Sequence, residues 1–249
     1  MHSNQLINSI FYPRKHNNKD AKDILINVED NNSIAIRCFM KDKRYPTIIF
    51  FHGNAEICKD YDDIASYYNQ HKINIIVSDY RGYGLSSGQP NKDNLHKDSL
   101  TVFDFTFEYL KKNKYNLNLI PMGRSLGSAS VSHIIKHRES KIKGCIIESG
   151  FATEYPLLNL MNINPEDISF SLKDGFENLD KLKSYSKALL VIHADLDNIV
   201  PFSQAELIMI ECKSNTKELF KVEGANHNNI LMYARDEYFI KIQSFVESL

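Results

Sequence analysis

The chain holds 249 residues, with 30 basic and 31 acidic side chains and no tryptophan. Charges this balanced and interspersed exclude the basic footprint of a nucleic-acid binder. No stretch approaches the ~18 consecutive apolar residues of a membrane-spanning helix, so no integral membrane segment is expected.

Cys38, Cys58, Cys145 and Cys212 lie far apart, without metal-ligand spacing. The start, MHSNQLINSIFYPRKHNN, has no continuous apolar run and no small-residue cleavage site. Together these point to reduced thiols in a cytoplasmic protein. No linker, repeat or low-complexity tract divides the chain. A single domain over 1–249 is expected, with about 1–20 as an N-terminal extension.

Short apolar runs alternate with longer amphipathic stretches. DILINV (23–28) and SIAIRCF (33–39) flank the turn-like Glu29-Asp30-Asn31-Asn32 and predict an antiparallel hairpin. PTIIFFHG (46–53) is apolar almost throughout, as in a strand covered on both faces. Residues 55–70 read as a helix carrying Ile57, Ile64 and Tyr68. INIIVSDY (73–80) is another buried strand, followed by the glycine-rich turn RGYGLSSGQP. Leu100, Phe103, Phe107 and Leu110 give 91–112 a helical period. LNLIPM (117–122) predicts a strand and 126–137 a helix. KGCIIES (143–149), KALLVIHA (187–194) and TKELFKV (216–222) predict three further strands, and 229–247 a terminal helix. Strands alternating with helices after a hairpin predict an α/β fold, a mostly parallel eight-stranded sheet with helices on both faces.

PMGRSLGS (121–128) sets Ser125 between glycines in the spacing G-x-S-x-G. The pattern has mechanical meaning where a strand runs straight into a helix, because the serine then sits on a tight, strained turn with small neighbours two residues away. Gly123 and Gly127 meet that demand, and the Leu126 amide at the helix start would face a developing oxyanion. A hydroxyl needs a base, and the base a carboxylate. Of nine histidines, His227 lies in the loop between the last strand and the terminal helix. His133 and His137 fall within the helix after Ser125, and His2, His16, His71 and His96 in polar or helical contexts.

ALLVIHADLDNIVP offers two carboxylates, Asp195 and Asp197. Asp197 is favoured because it lies further from the strand and precedes an apolar Ile-Val-Pro that can anchor the loop; Asp195 reads as a turn residue and His193 as structural. In FFHGNAE the backbone bends at a glycine and then offers the amide of Asn54 as a second oxyanion donor, with His52 a buried residue holding the loop. Asp79 and Arg81 in SDYRGYG read as groups that satisfy loop backbone.

FHGNAE, SDYRGYGLSSGQP, GRSLGSA, HADLDNIVP and GANHN together resemble the α/β-hydrolase superfamily over roughly 46–249. HGNA and DYRGYGLSSGQP narrow the resemblance to the compact bud-emergence-type and α/β-hydrolase-domain-containing branch. The resemblance implies Ser125 as nucleophile, Asp197 as acid, His227 as base and an oxyanion hole from Asn54 and Leu126, with no metal or cofactor. It also implies at most a small cap, placed at about 151–180. Ala194 stands where that family usually has glycine, and the membrane helix or cysteine-rich N-terminus of several relatives is not seen.

The expected activity is a serine hydrolase acting on a small-molecule acyl ester or thioester. Acyl-protein thioesterase, serine peptidase and a non-catalytic binding protein on the same fold are the alternatives. Phe151, Tyr155, Leu157, Met161 and Phe170 are candidates for an acyl pocket or for simple packing. Oligomeric state is left open by the sequence.

Overall fold

Alternation within the strands sets the architecture of the computed structural model, which describes residues 7–249. In β3 (Thr47–Phe51), Ile49 and Phe51 join one apolar cluster while Ile48 and Phe50 join another. β7 (Ala188–Ala194) divides likewise, with Leu189 and Val191 on one face and Leu190 and Ile192 on the other. A sheet apolar on both faces must be covered on both, and two cores result.

Eight strands form one sheet in the order β1-β2-β4-β3-β5-β6-β7-β8. The others are β1 (Asp23–Asn27), β2 (Ser33–Phe39), β4 (Asn74–Ser78), β5 (Leu119–Arg124), β6 (Gly144–Glu148) and β8 (Lys217–Val222). β1 and β2 pair antiparallel, as do β2 and β4, and every later pairing is parallel. The hairpin turns on Asp30 and Asn31, both at positive φ (62° and 56°), the demand of a tight two-residue connection.

One face carries α2 (Lys92–Lys112), α3 (Gly127–Arg138), α5 (Asn178–Lys183) and α6 (Ser203–Glu211), through residues such as Phe103, Val131, Leu182 and Ile208. The other carries α1 (Ala65–Gln70), α7 (Ile230–Ala234) and α8 (Asp236–Glu247), through Tyr68, Ile230 and Ile242. Between β6 and β7 lie only α4 (Tyr155–Leu160), a single 3₁₀ turn at Pro165–Ile168, and α5.

Four elements depart from the sequence expectation. Residues 55–70 are not one helix: Ala55 has φ 62°, and a 3₁₀ turn at Cys58–Tyr61 precedes the short α1. Side chains take the amides that a helix would use, Cys58 N–H donating to Asp79 Oδ1 at 2.9 Å and Ile57 N–H to Asp60 Oδ2 at 3.0 Å. The terminal helix breaks at Arg235, whose φ of 50° cannot continue it. α6 has no readable period in the sequence, because its four consecutive apolar residues from Leu207 to Ile210 occupy every side of the turn. β5 runs two residues further than its apolar run, through Gly123 and Arg124 to the edge of Ser125.

That extension brings three backbones together. A Cβ on Gly127 would overlap the Phe51 carbonyl oxygen of β3, and one on Gly123 would overlap the Gly127 carbonyl. Gly127→Ala is therefore expected to destabilise by about 3 kcal/mol or more, roughly 6–12 °C in Tm for a chain of this size. Thermal unfolding followed by circular dichroism checks this.

Candidate active site

Ser125 follows β5 directly and has φ 51°, a left-handed conformation that costs a non-glycine residue energy and is held here by its surroundings. Its amide donates to the Glu148 carbonyl at 2.9 Å, continuing the β5–β6 pairing by one residue. The chain then turns into α3, whose first turn closes with Ser128 N–H to Ser125 O at 3.0 Å and Ala129 N–H to Leu126 O at 3.0 Å. Ser128 Oγ also donates to the Ser125 carbonyl at 2.6 Å. The Leu126 amide lies at the positive end of that helix and donates to no protein acceptor among the described residues.

Asp197 and His227 come from the loops after β7 and β8. His227 Nδ1 donates to Asp197 Oδ2 at 2.7 Å. The other carboxylate oxygen accepts from the Ile199 and Val200 amides at 2.9 and 2.8 Å. Burial alone would raise the Asp197 carboxyl, but the His227 bond and these two amides outweigh it and hold the group below the ordinary carboxylate range. His193 backs the pair, 3.5 Å from Asp197 Oδ2, while bonding the Val200 carbonyl at 2.8 Å.

Asp195 points elsewhere and accepts from the Gly224 amide at 2.7 Å, so of the two carboxylates only Asp197 reaches His227. His52 is fully buried between the Gly53 carbonyl (2.8 Å) and Asp79 (3.1 Å), and Arg81 pairs with Asp98 through two nitrogens. His133 and His137 lie at a separate surface with His96 and Lys181, with ring centroids 4.3 and 4.4 Å apart along the row. His2 lies outside the described residues.

Ser125, His227 and Asn54 all open on one cleft of ≈530 Å³. Its apolar wall comes from Ile10, Tyr12, Leu157, Leu160, Met161 and Ile199. Leu157 and Met161 thus face the cleft as candidates for an acyl pocket, whereas Phe151 is buried and Phe170 packs edge-on to Tyr155 at 6.4 Å. Ile10 and Tyr12 belong to the segment expected to be an extension. It is instead tied down: the Tyr12 amide donates to Asn54 Oδ1 at 3.0 Å and to the Tyr83 hydroxyl at 2.9 Å, and Asn54 Nδ2 donates to the Ile10 carbonyl at 2.6 Å. The first six residues of that expected extension lie outside the described residues. These side-chain bonds hold Asn54 while its own amide donates to no protein acceptor among the described residues.

The sequence did not signal this strap, nor the surroundings of Arg124 beside the serine. Its guanidinium meets Glu56, Glu148, His227 and Asn228, up to 104 positions away.

A family model described as serine aminopeptidase, S33, matches residues 42–165. The mouse alpha/beta hydrolase domain-containing protein 17C is 30% identical over 219 residues, covering 85% of this chain and 62% of that protein. The human alpha/beta hydrolase domain-containing protein 17B is 29% identical over 240 residues, covering 92% of this chain and 76% of that protein. Among solved structures, the esterase Pf2001 of Pyrococcus furiosus superposes with a TM-score of 0.75 at 17% identity, covering 96% of this chain and 98% of that one. The chain belongs to the α/β-hydrolase superfamily. It spans under two thirds of the 17C relative, and the Pf2001 likeness is one of fold. No helix among the described residues is long and apolar enough to cross a membrane.

The cover of this α/β-hydrolase is anchored by a buried acid. Glu154 precedes α4 and accepts from the Phe176 amide at 2.6 Å. Phe176 in turn packs edge-on to Phe11 of the N-terminal strap at 6.4 Å. Burial pushes the Glu154 carboxyl up to about 7, opposed by the Phe176 amide and by Lys181 and Lys92. The folded chain therefore holds a proton that the unfolded chain releases above its ordinary value of 4.5. The stability this group gives is complete below that value and is lost as pH rises through about 7. Between pH 5 and 8, Tm should fall in the wild type and fall less in Glu154→Gln; parallel slopes in the two proteins would refute the assignment.

Proposed function

We propose that the protein is a serine hydrolase that cleaves carboxylic esters or thioesters through an acyl-enzyme. The observation that carries this reading is the Asp197–His227 bond at 2.7 Å, with His227 lining the same cleft as Ser125 in its left-handed turn. His227 takes the Ser125 proton as Oγ attacks the carbonyl carbon, and the Leu126 and Asn54 amides receive the oxyanion. The imidazolium, held by Asp197, then protonates the leaving alcohol or thiol. Water, deprotonated by His227, attacks the acyl-enzyme and releases a carboxylic acid and free Ser125 Oγ–H.

An apolar wall beside the serine favours an acyl chain over a peptide. An aminopeptidase needs an unpaired carboxylate near the serine for the substrate's free ammonium. The acid of the cleft wall, Glu56, is already engaged by Arg124, the Gly53 amide and the Tyr61 hydroxyl. A thioester carried on a protein cysteine is the finer form of the reading, supported by the cleft standing open under a short cover.

A fluorophosphonate probe should label the wild type and not Ser125→Ala; equal labelling of the two would exclude Ser125 as nucleophile. Asp197→Asn should lower turnover by on the order of 10⁴, with Asp195→Asn close to wild type. The reverse pattern would move the acid to Asp195. Rates on matched oxyesters, thioesters and anilides of increasing acyl length then rank the substrate classes.

A further inference from the structure

The elbow pattern leaves the residue before the serine free, and here that residue is a half-buried arginine. The Arg124 side chain is 14% exposed and reaches three other segments. It pairs with Glu56 in the loop after β3, and its Nε lies 3.3 Å from Glu148 Oε1 at the end of β6. One terminal nitrogen donates to the carbonyl oxygen of His227 at 2.7 Å and to Asn228 Oδ1 at 3.3 Å.

Its partners are fixed in turn. Glu56 Oε2 accepts from the Gly53 amide at 2.7 Å and the Tyr61 hydroxyl at 2.8 Å. Glu148 Oε2 accepts from the Tyr238 hydroxyl at 2.5 Å, and that hydroxyl lies 3.1 Å from the Tyr68 hydroxyl. A chamber of ≈200 Å³ behind His227 is walled by these same groups.

We infer that Arg124 is a positioning residue, a strut that sets the distance from Ser125 to His227 and, through Glu56, the approach of the Asn54 loop. This rests on the reading of Ser125 as nucleophile and His227 as base. The strut begins one residue before the serine and ends on the backbone of the histidine, so it spans the two groups between which the proton moves. Displacing a reacting group by 1 Å costs on the order of 10² in rate. Lysine cannot replace the arginine, because these contacts need donors fanned in one plane and an ammonium is a single point.

A merely stabilising arginine would alter Tm and leave the kcat of the folded protein unchanged. The test measures Tm, kcat and KM for wild type, Arg124→Lys and Arg124→Ala on p-nitrophenyl butyrate. Arg124→Lys keeps the charge between the two carboxylates and should fold, with kcat lowered about tenfold and KM within about twofold. Arg124→Ala should lose about 10² in kcat, and millimolar guanidinium entering the chamber behind His227 should restore part of it. Guanidinium should not raise the rate of wild type or Ser125→Ala.

A folded Arg124→Lys with wild-type kcat would overturn the proposal, whatever becomes of the alanine variant. So would a folded Arg124→Ala that guanidinium leaves unchanged. Wild-type turnover by Ser125→Ala is a different failure: it would remove the hydrolase reading itself, however Arg124 behaves.

Discussion

Three backbones meet at the centre of the sheet, and everything near Ser125 depends on how closely they do so. The Phe51 carbonyl of β3 lies against Gly127, and the Gly127 carbonyl against Gly123 of β5. No Cβ fits at either glycine, so α3 begins within touching distance of two strands. A chain turning that sharply from strand to helix leaves the residue at the bend in a left-handed conformation, and Ser125 occupies it. The placing of Ser125 on the cleft and a Leu126 amide without a protein acceptor among the described residues are both consequences of that one contact.

The loop after β3 is held by a different principle. It makes no α-helix until Ala65, and groups distant in the chain satisfy it instead. Asp79 receives the Cys58 amide, Arg37 of β2 grips Asp62, Arg124 grips Glu56, and Tyr12 and Tyr83 bond Asn54. Arg37 is buried and Arg124 half-buried, and each faces more than one carboxylate. Ion pairs so placed add little net stability compared with apolar packing, but breaking one leaves an uncompensated charge. Their effect is to give an irregular segment one conformation rather than several.

The sheet was legible in the sequence because each strand is a short apolar run and the order of runs implies the topology. The serine, aspartate and histidine were legible for a related reason: each lies just beyond a strand, and the ends of parallel strands share one edge. What the sequence does not show depends on contacts far apart in the chain. Nothing in the composition of residues 7–16 announces that Tyr12 would bond Asn54, and nothing in GRSLG tells what a guanidinium would meet. The residues 55–70 misled for a local reason. Their apolar spacing is helical, but Asp60 and Asp79 offer the amides a competing acceptor, and the left-handed Ala55 breaks the path.

The strap across the cleft also bears on how the protein is made. Residues 7–16 are synthesised before the surfaces on which they dock, built from Asn54, Tyr83, Gly84 and Phe176. His227 emerges later than all of them. The wall of the cleft therefore joins segments made far apart in time, and a nascent chain that has already shaped its serine turn still lacks the imidazole. The strap is thus a wall that waits for the residues it will face, and the loop after β8 is the piece for which it waits longest.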